Sequence, residues 1–114
     1  MKKAFLAAAF PRVVIAAIFI ADLTGTWKGT VEFQGNKLDI TYKFKVDGDK
    51  LTGSVSSQFG EMEIQNGKVS GNDFSYSVDY GQGPRESKGK YYGDSIAITS
   101  GYSGNTTTFY RVKE

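Results

Sequence analysis

At 114 residues the chain holds one small domain, and it has no cysteine and no histidine. Disulfides, thiolate nucleophiles, histidine-based triads and most transition-metal sites are thereby excluded. The formal charge of +2 comes from the first 21 residues, which carry three basic residues and no acid; after them eleven basic residues face twelve acidic ones, a net of −1 that gives no reason to expect nucleic acid as a partner.

The leader, MKKAFLAAAFPRVVIAAIFIA, divides into a basic region through Arg12 and an apolar run, VVIAAIFI, at residues 13–20. That is the layout of a secretory signal, with Ala21 small enough to precede the cut and Phe19 bulky where a small residue is preferred. The rival reading is an uncleaved anchor over residues 4–21, in which Arg12 near the middle would cost roughly 2.5–3.5 kcal/mol and Pro11 would add a kink. The expectation is a signal peptide at residues 1–21 and a folded domain at 22–114, periplasmic or secreted, touching a membrane only if the leader stays attached.

From Trp27 onward apolar residues alternate with polar ones. Trp27, Val31 and Phe33 share one parity; Leu38, Ile40, Tyr42, Phe44 and Val46 share another; Met62 and Ile64, then Phe74, Tyr76, Val78 and Tyr80, repeat the pattern. Period two is the strand signature, and no helical spacing follows the leader. Turn signals separate the runs at Gly35-Asn36, Gly48-Asp49, Gln58 to Gly60, Gly71-Asn72, Gly81 to Pro84, Gly93-Asp94 and Gly104-Asn105, because glycine takes positive φ freely and Asn or Asp tolerates it. Seven turns give eight strands, and three turns recur in a weak repeat beginning at Lys45, Lys68 and Lys90, as hairpins returning to the same end of a sheet would. The fold class is all-β, an eight-stranded antiparallel up-and-down meander. Its first and last strands run antiparallel, so it can close as a barrel and lose both edges, with a two-sheet sandwich as the alternative.

Gly25-Thr26-Trp27 at the head of the first strand, with Arg111 near the end of the last, resembles the Gly-x-Trp and arginine signature of the lipocalins and their calycin relatives. That resemblance implies a barrel over roughly residues 23–113 in which Gly25, Trp27 and Arg111 close one end, the guanidinium lying over the indole. A planar cation on a desolvated aromatic face is favourable by about 1–2 kcal/mol. "LTGTW" at 23–27 and "LTGSV" at 51–55 are also similar to avidin strands. The chain has one tryptophan, however, and Lys28, Gly29 and Thr30 follow it where avidins place an asparagine, so biotin binding is not implied.

Meander order sorts the loops into two ends. The turns at 48, 71 and 93 share an end with Trp27 and Arg111, and those near 35, 59, 82 and 104 form the other. That second end carries Gln34, Phe59, Tyr80, Gln82, Arg85 and Tyr102, aromatic and polar groups of the kind that wall a pocket, and it is the expected mouth. The competing reading fills the barrel with its own tyrosines, with Gly53, Ser87 and Gly89 making room either for a ligand or for large neighbours. Catalysis has little support: Glu61 and Glu63 share a strand face opposite apolar Met62 and Ile64, which puts both acids in solvent. Asp47 and Asp49 lack the rest of a calcium loop, and Asn105-Thr106-Thr107 is a glycosylation sequon that also serves a turn. The chain therefore reads as a non-enzymatic, exported barrel with no cofactor and no metal. It would bind a small apolar or aromatic ligand at its mouth, or a protein partner if the barrel is filled.

Overall fold

The computed structural model describes residues 23–113, so the leader and the cleavage point proposed for it lie outside the described residues. Nine strand segments follow one another: β1 (Gly25–Phe33), β2 (Asn36–Asp47), β3 (Lys50–Ser57), β4 (Gly60–Glu63), β5 (Gln65–Ser70), β6 (Asp73–Asp79), β7 (Pro84–Tyr91), β8 (Ser95–Thr99) and β9 (Thr106–Arg111). β4 and β5 are two halves of one strand parted at Ile64, both pairing with β3. β1 pairs with β9 through Trp27 opposite Arg111 and Lys28 opposite Tyr110, which closes eight strands into an antiparallel barrel in meander order. All seven turns expected from the glycine signals join successive strands.

The interior is made by the alternation. Trp27, Tyr42, Phe44, Leu51, Val55, Val69, Phe74, Tyr76, Val78, Ile96, Ile98 and Phe109 form one buried cluster, each large side chain contributing roughly 1.5–3 kcal/mol by leaving water. The ladder row Trp27–Tyr42–Val55–Met62 runs from the tryptophan end to the mouth, the climb that strand tilt gives a barrel. At its centre Tyr42 meets Phe44, Tyr76 and Phe109 with ring centroids 5.0–5.7 Å apart. Tyr76 Oη donates to Tyr42 Oη at 2.6 Å inside this cluster. Burial, the largest cause, pushes the Tyr42 phenol up to about 12 against the opposing effect of its bond to Tyr76. Tyr76 is raised well above its ordinary value, first by burial and then by the proximity of Tyr42. Among the described residues no buried side-chain nitrogen or oxygen lacks a hydrogen-bond partner.

The tryptophan end is sealed. The Arg111 guanidinium carbon stands 4.3 Å from the centre of the Trp27 ring, and Tyr91 meets the indole edge-on at 6.2 Å. Nη1 of Arg111 donates to Thr24 O at 3.1 Å, Nη2 to Gly93 O at 3.3 Å, and Nε lies 3.8 Å from Asp94. Trp27, fully buried, donates its indole N–H to Leu23 O. Gly25 adopts φ +146, and a Cβ there would stand 2.9 Å from Arg111 Nη1, so both backbone and space ask for glycine.

The opposite half is less completely laced. The β1–β9 ladder ends at Lys28 and Tyr110, leaving the rest of β1 without a ladder partner on that side. β4 pairs with β3 alone, whereas β6 pairs with β5 and β7. Towards the mouth the barrel therefore becomes two facing four-stranded sheets, β1 to β4 and β6 to β9. The second seam opens beyond Gln65, which still pairs with Ser77, after a bulge between Gln65 and Lys68 where Asn66 takes φ 54. A Cβ on the adjoining Gly67 would lie 2.0 Å from Leu51 O. The extra residue switches the buried parity from even at Ile64 to odd at Val69.

Candidate functional site

The loops at the mouth are unequal, which the turn signals do not reveal. Gln34 and Gly35 make a two-residue turn with φ 53 and 81, both central residues positive as a tight hairpin demands. Gln58 and Phe59 make another tight turn, while the connections at 80–83 and 100–105 are longer. The 80–83 loop is ordered by Asp79, whose carboxylate accepts the Gly81 and Gly83 amides at 2.8 and 3.0 Å.

The long 100–105 loop folds across one side of the opening. Gly101 donates its amide to the buried Ser87 hydroxyl at 3.0 Å. The Tyr102 hydroxyl accepts the Tyr80 amide at 3.1 Å and shares its own proton between Val78 O and Gly83 O, at 3.0 and 3.2 Å. Tyr80 and Tyr102 meet edge to face at 5.0 Å, and the Arg85 guanidinium lies 5.1 Å from the centre of the Tyr102 ring. The Tyr80 phenol is raised, by burial and then by Tyr102. Three of the residues expected at the mouth, Tyr80, Arg85 and Tyr102, thus meet as one group on one side of it.

Beside this group lies a hollow of about 250 Å³ lined by Ile40, Val55, Met62, Phe59 and Tyr80, together with Ser57 and Glu61. Ile40, Val55 and Met62 come from three neighbouring strands at inward parity and make an apolar floor. Phe59, 70% exposed, and Tyr80, 55% exposed, stand as its walls. Phe59 also meets Phe33, itself 50% exposed, at 6.1 Å along the rim of the β1–β4 side. A smaller hollow of about 110 Å³ beside that pair is lined by Gln34, Leu38 and Gln58. Gln82 stands exposed on the 80–83 loop and lines neither hollow.

Below this level the barrel is occupied. Gly89 makes room for the Phe74 ring, and Ser87 anchors the 100–105 loop, so two of the three small residues that could have opened a chamber are used for packing. Gly53 lies under the Lys43 carbonyl, where a Cβ would approach to 1.8 Å, and it serves the close pairing of β2 with β3. The floor residues Ile40, Val55 and Met62 and the rim residue Phe33 were not singled out by sequence reasoning as site residues. Their parity was visible, but not which inward positions lie uncovered.

Among the described residues no three acidic side chains gather as a group able to hold a metal ion. Comparison of the chain with models of known protein families, with curated proteins and with solved structures found no match, and the mouth itself is what the chain offers as a guide to its function.

Proposed function

We propose that this protein is an exported, non-catalytic binding module of lipocalin-like build whose mouth rim grips a protein partner. The observation that carries this reading is the combination of a core filled by its own aromatic rings with an apolar hollow walled by exposed Phe59 and Tyr80, with exposed Phe33 beside Phe59 on the rim. A hollow of about 250 Å³ falls below the ~300–1,000 Å³ usual for small-molecule sites. It suits one apolar side chain anchored from a partner, with the aromatic rim covering the surrounding surface, the arrangement of an interface hot spot. The apolar leader of residues 1–21 supports export.

A second reading rests on the same hollow: a single-ring apolar molecule would contact Met62, Phe59 and Tyr80 and need no deeper chamber. The two are separated by placing a photo-crosslinking phenylalanine analogue at Phe59 in the producing cells. The protein-partner reading expects an adduct of protein mass that disappears when Phe33 and Tyr80 are changed to serine and persists in Tyr110→Ser. A native mass spectrum with a small-molecule adduct lost on denaturation, and no protein adduct from the rim, would replace it with the second reading.

A further inference from the structure

Resting on the partner-binding reading above, we infer that the partner docks by adding an extended strand to the free edge of β4, with basic side chains facing Glu61 and Glu63 and an apolar one between them.

The geometry fixes this pattern residue by residue. Ile64 donates its amide to Gly53 O at 3.0 Å, so its backbone groups face β3. In a strand successive residues direct their N–H and C=O to opposite sides, which turns Met62 towards β3 as well and turns Glu61 and Glu63 away from it. The side away from β3 has no ladder, because β4 is the terminal strand of the sheet order and β6 is paired elsewhere. Two residues' backbone donors and acceptors thus point into the seam between β4 and β6, a template for strand addition.

Side chains alternate independently of the backbone groups. Glu61 and Glu63 are exposed on the outer face, Glu61 accepting a hydrogen bond from Ser54 at 3.0 Å. Met62 points inward and lines the 250 Å³ hollow together with Tyr80 from the far side of the seam. An added antiparallel strand places the residues opposite Glu61 and Glu63 on the same outer face, and the residue between them over the hollow. Further acids, Asp79 and Glu86, stand on β6 and β7 across the seam. The occupant that fits is therefore an extended segment reading basic, apolar, basic. A second copy of this chain does not fit, since pairing β4 with itself would set Glu61 and Glu63 against their own counterparts.

The test uses the full folded chain and a blocked peptide with leucine between two lysines, flanked by threonines. Two-dimensional NMR should show amide shifts confined to residues 60–63 and 77–80, with the Glu61 and Glu63 amides slowed in hydrogen exchange. Affinity should fall about tenfold for Glu61→Lys/Glu63→Lys, two cross-strand ion pairs being reversed. Both substitutions lie on the exposed face, and an unchanged melting curve verifies the fold. Methylating the two lysine backbone nitrogens of the peptide should abolish binding, whereas replacing its lysines by glutamates should weaken it at least as much as the double substitution. Shifts elsewhere, indifference to backbone methylation, no binding at millimolar peptide, or a dimer of the protein that forms through β4 would each overturn the inference. A rim crosslink that survives Glu61→Lys/Glu63→Lys would overturn edge docking while leaving the partner-binding reading intact; loss of all protein crosslinks from Phe59 in the unsubstituted chain would remove both.

Discussion

Replacing Gly89 by alanine tests whether the barrel centre is full. Gly89 lies in β7 opposite Phe74, at a backbone conformation an alanine adopts without strain. On backbone grounds alone, Gly→Ala in such a place stabilises by about 0.4–1 kcal/mol, because the unfolded chain loses freedom. The added Cβ would, however, stand 2.1 Å from the Phe74 ζ carbon and 2.5–2.6 Å from both ε carbons, well inside the 3.0 Å that Cβ contacts respect. The ring cannot withdraw freely, since Phe44 meets it at 5.7 Å and Tyr76 stacks on it at 6.5 Å. Overpacking of this kind costs about 1–3 kcal/mol, so the net expectation is destabilisation by roughly 1–2 kcal/mol, opposite in sign to the backbone effect. Urea unfolding followed by the fluorescence of Trp27 measures it as a lowered midpoint at unchanged slope. Phe74→Leu removes the outer ring carbons that clash. In the double variant the cost of Gly89→Ala should shrink or reverse, a coupling of about 1 kcal/mol or more. A Gly89→Ala protein that is more stable than its parent would show that the barrel has slack at its centre, and would reopen an internal chamber as a binding site.

Stability at high pH should report the buried phenols. Tyr42 and Tyr76 hold their protons more tightly folded than unfolded, so their contribution is fully present below the unfolded value near 10 and is lost as pH rises towards the folded value, about 12 for Tyr42. Unfolding free energy should be level up to about pH 10 and then fall between there and about pH 12, by up to about 3 kcal/mol for the Tyr42 shift; Tyr42→Phe should flatten the fall, and a slope unchanged in that variant would contradict the assignment. At the sealed end, Arg111→Lys should cost about 2 kcal/mol, because an ammonium keeps the charge over Trp27 but cannot reach Thr24 O and Gly93 O together. A melting temperature equal to that of the parent would mean that charge alone maintains the closure.

The strand count, the meander order and the two ends of the barrel were legible because each rests on local rules: alternation from Trp27 to Phe33 and from Leu38 to Val46, and glycine-led turns between. The break at Ile64 was not read, although its mark is present. Inward parity is even at Met62 and Ile64 and odd at Val69, and Asn66-Gly67 lies between, a pair suited to positive φ. Its effect on the ladder depends on β3 and β6, far away in sequence, which no local pattern encodes. The mouth shows the same division. Phe59 and Tyr80 followed from loop placement, whereas the inward fold of the 100–105 loop depends on Ser87 and on three backbone groups of the 78–83 hairpin. The hollow is the space that this loop leaves uncovered.

A hoop resists widening because every stave is stitched to two others, and its diameter follows from the number of staves. Here that holds at the tryptophan end only. Where the ladders stop at Lys28 and along β4, the staves become two leaves joined at the sealed end, and the gap between them is bounded by side chains, Met62 from one leaf and Tyr80, just past β6, from the other. The aperture there depends on a few side chains as well as on the strand number. Trimming or enlarging Met62 or Tyr80 would change its gauge while the sealed end holds the barrel closed.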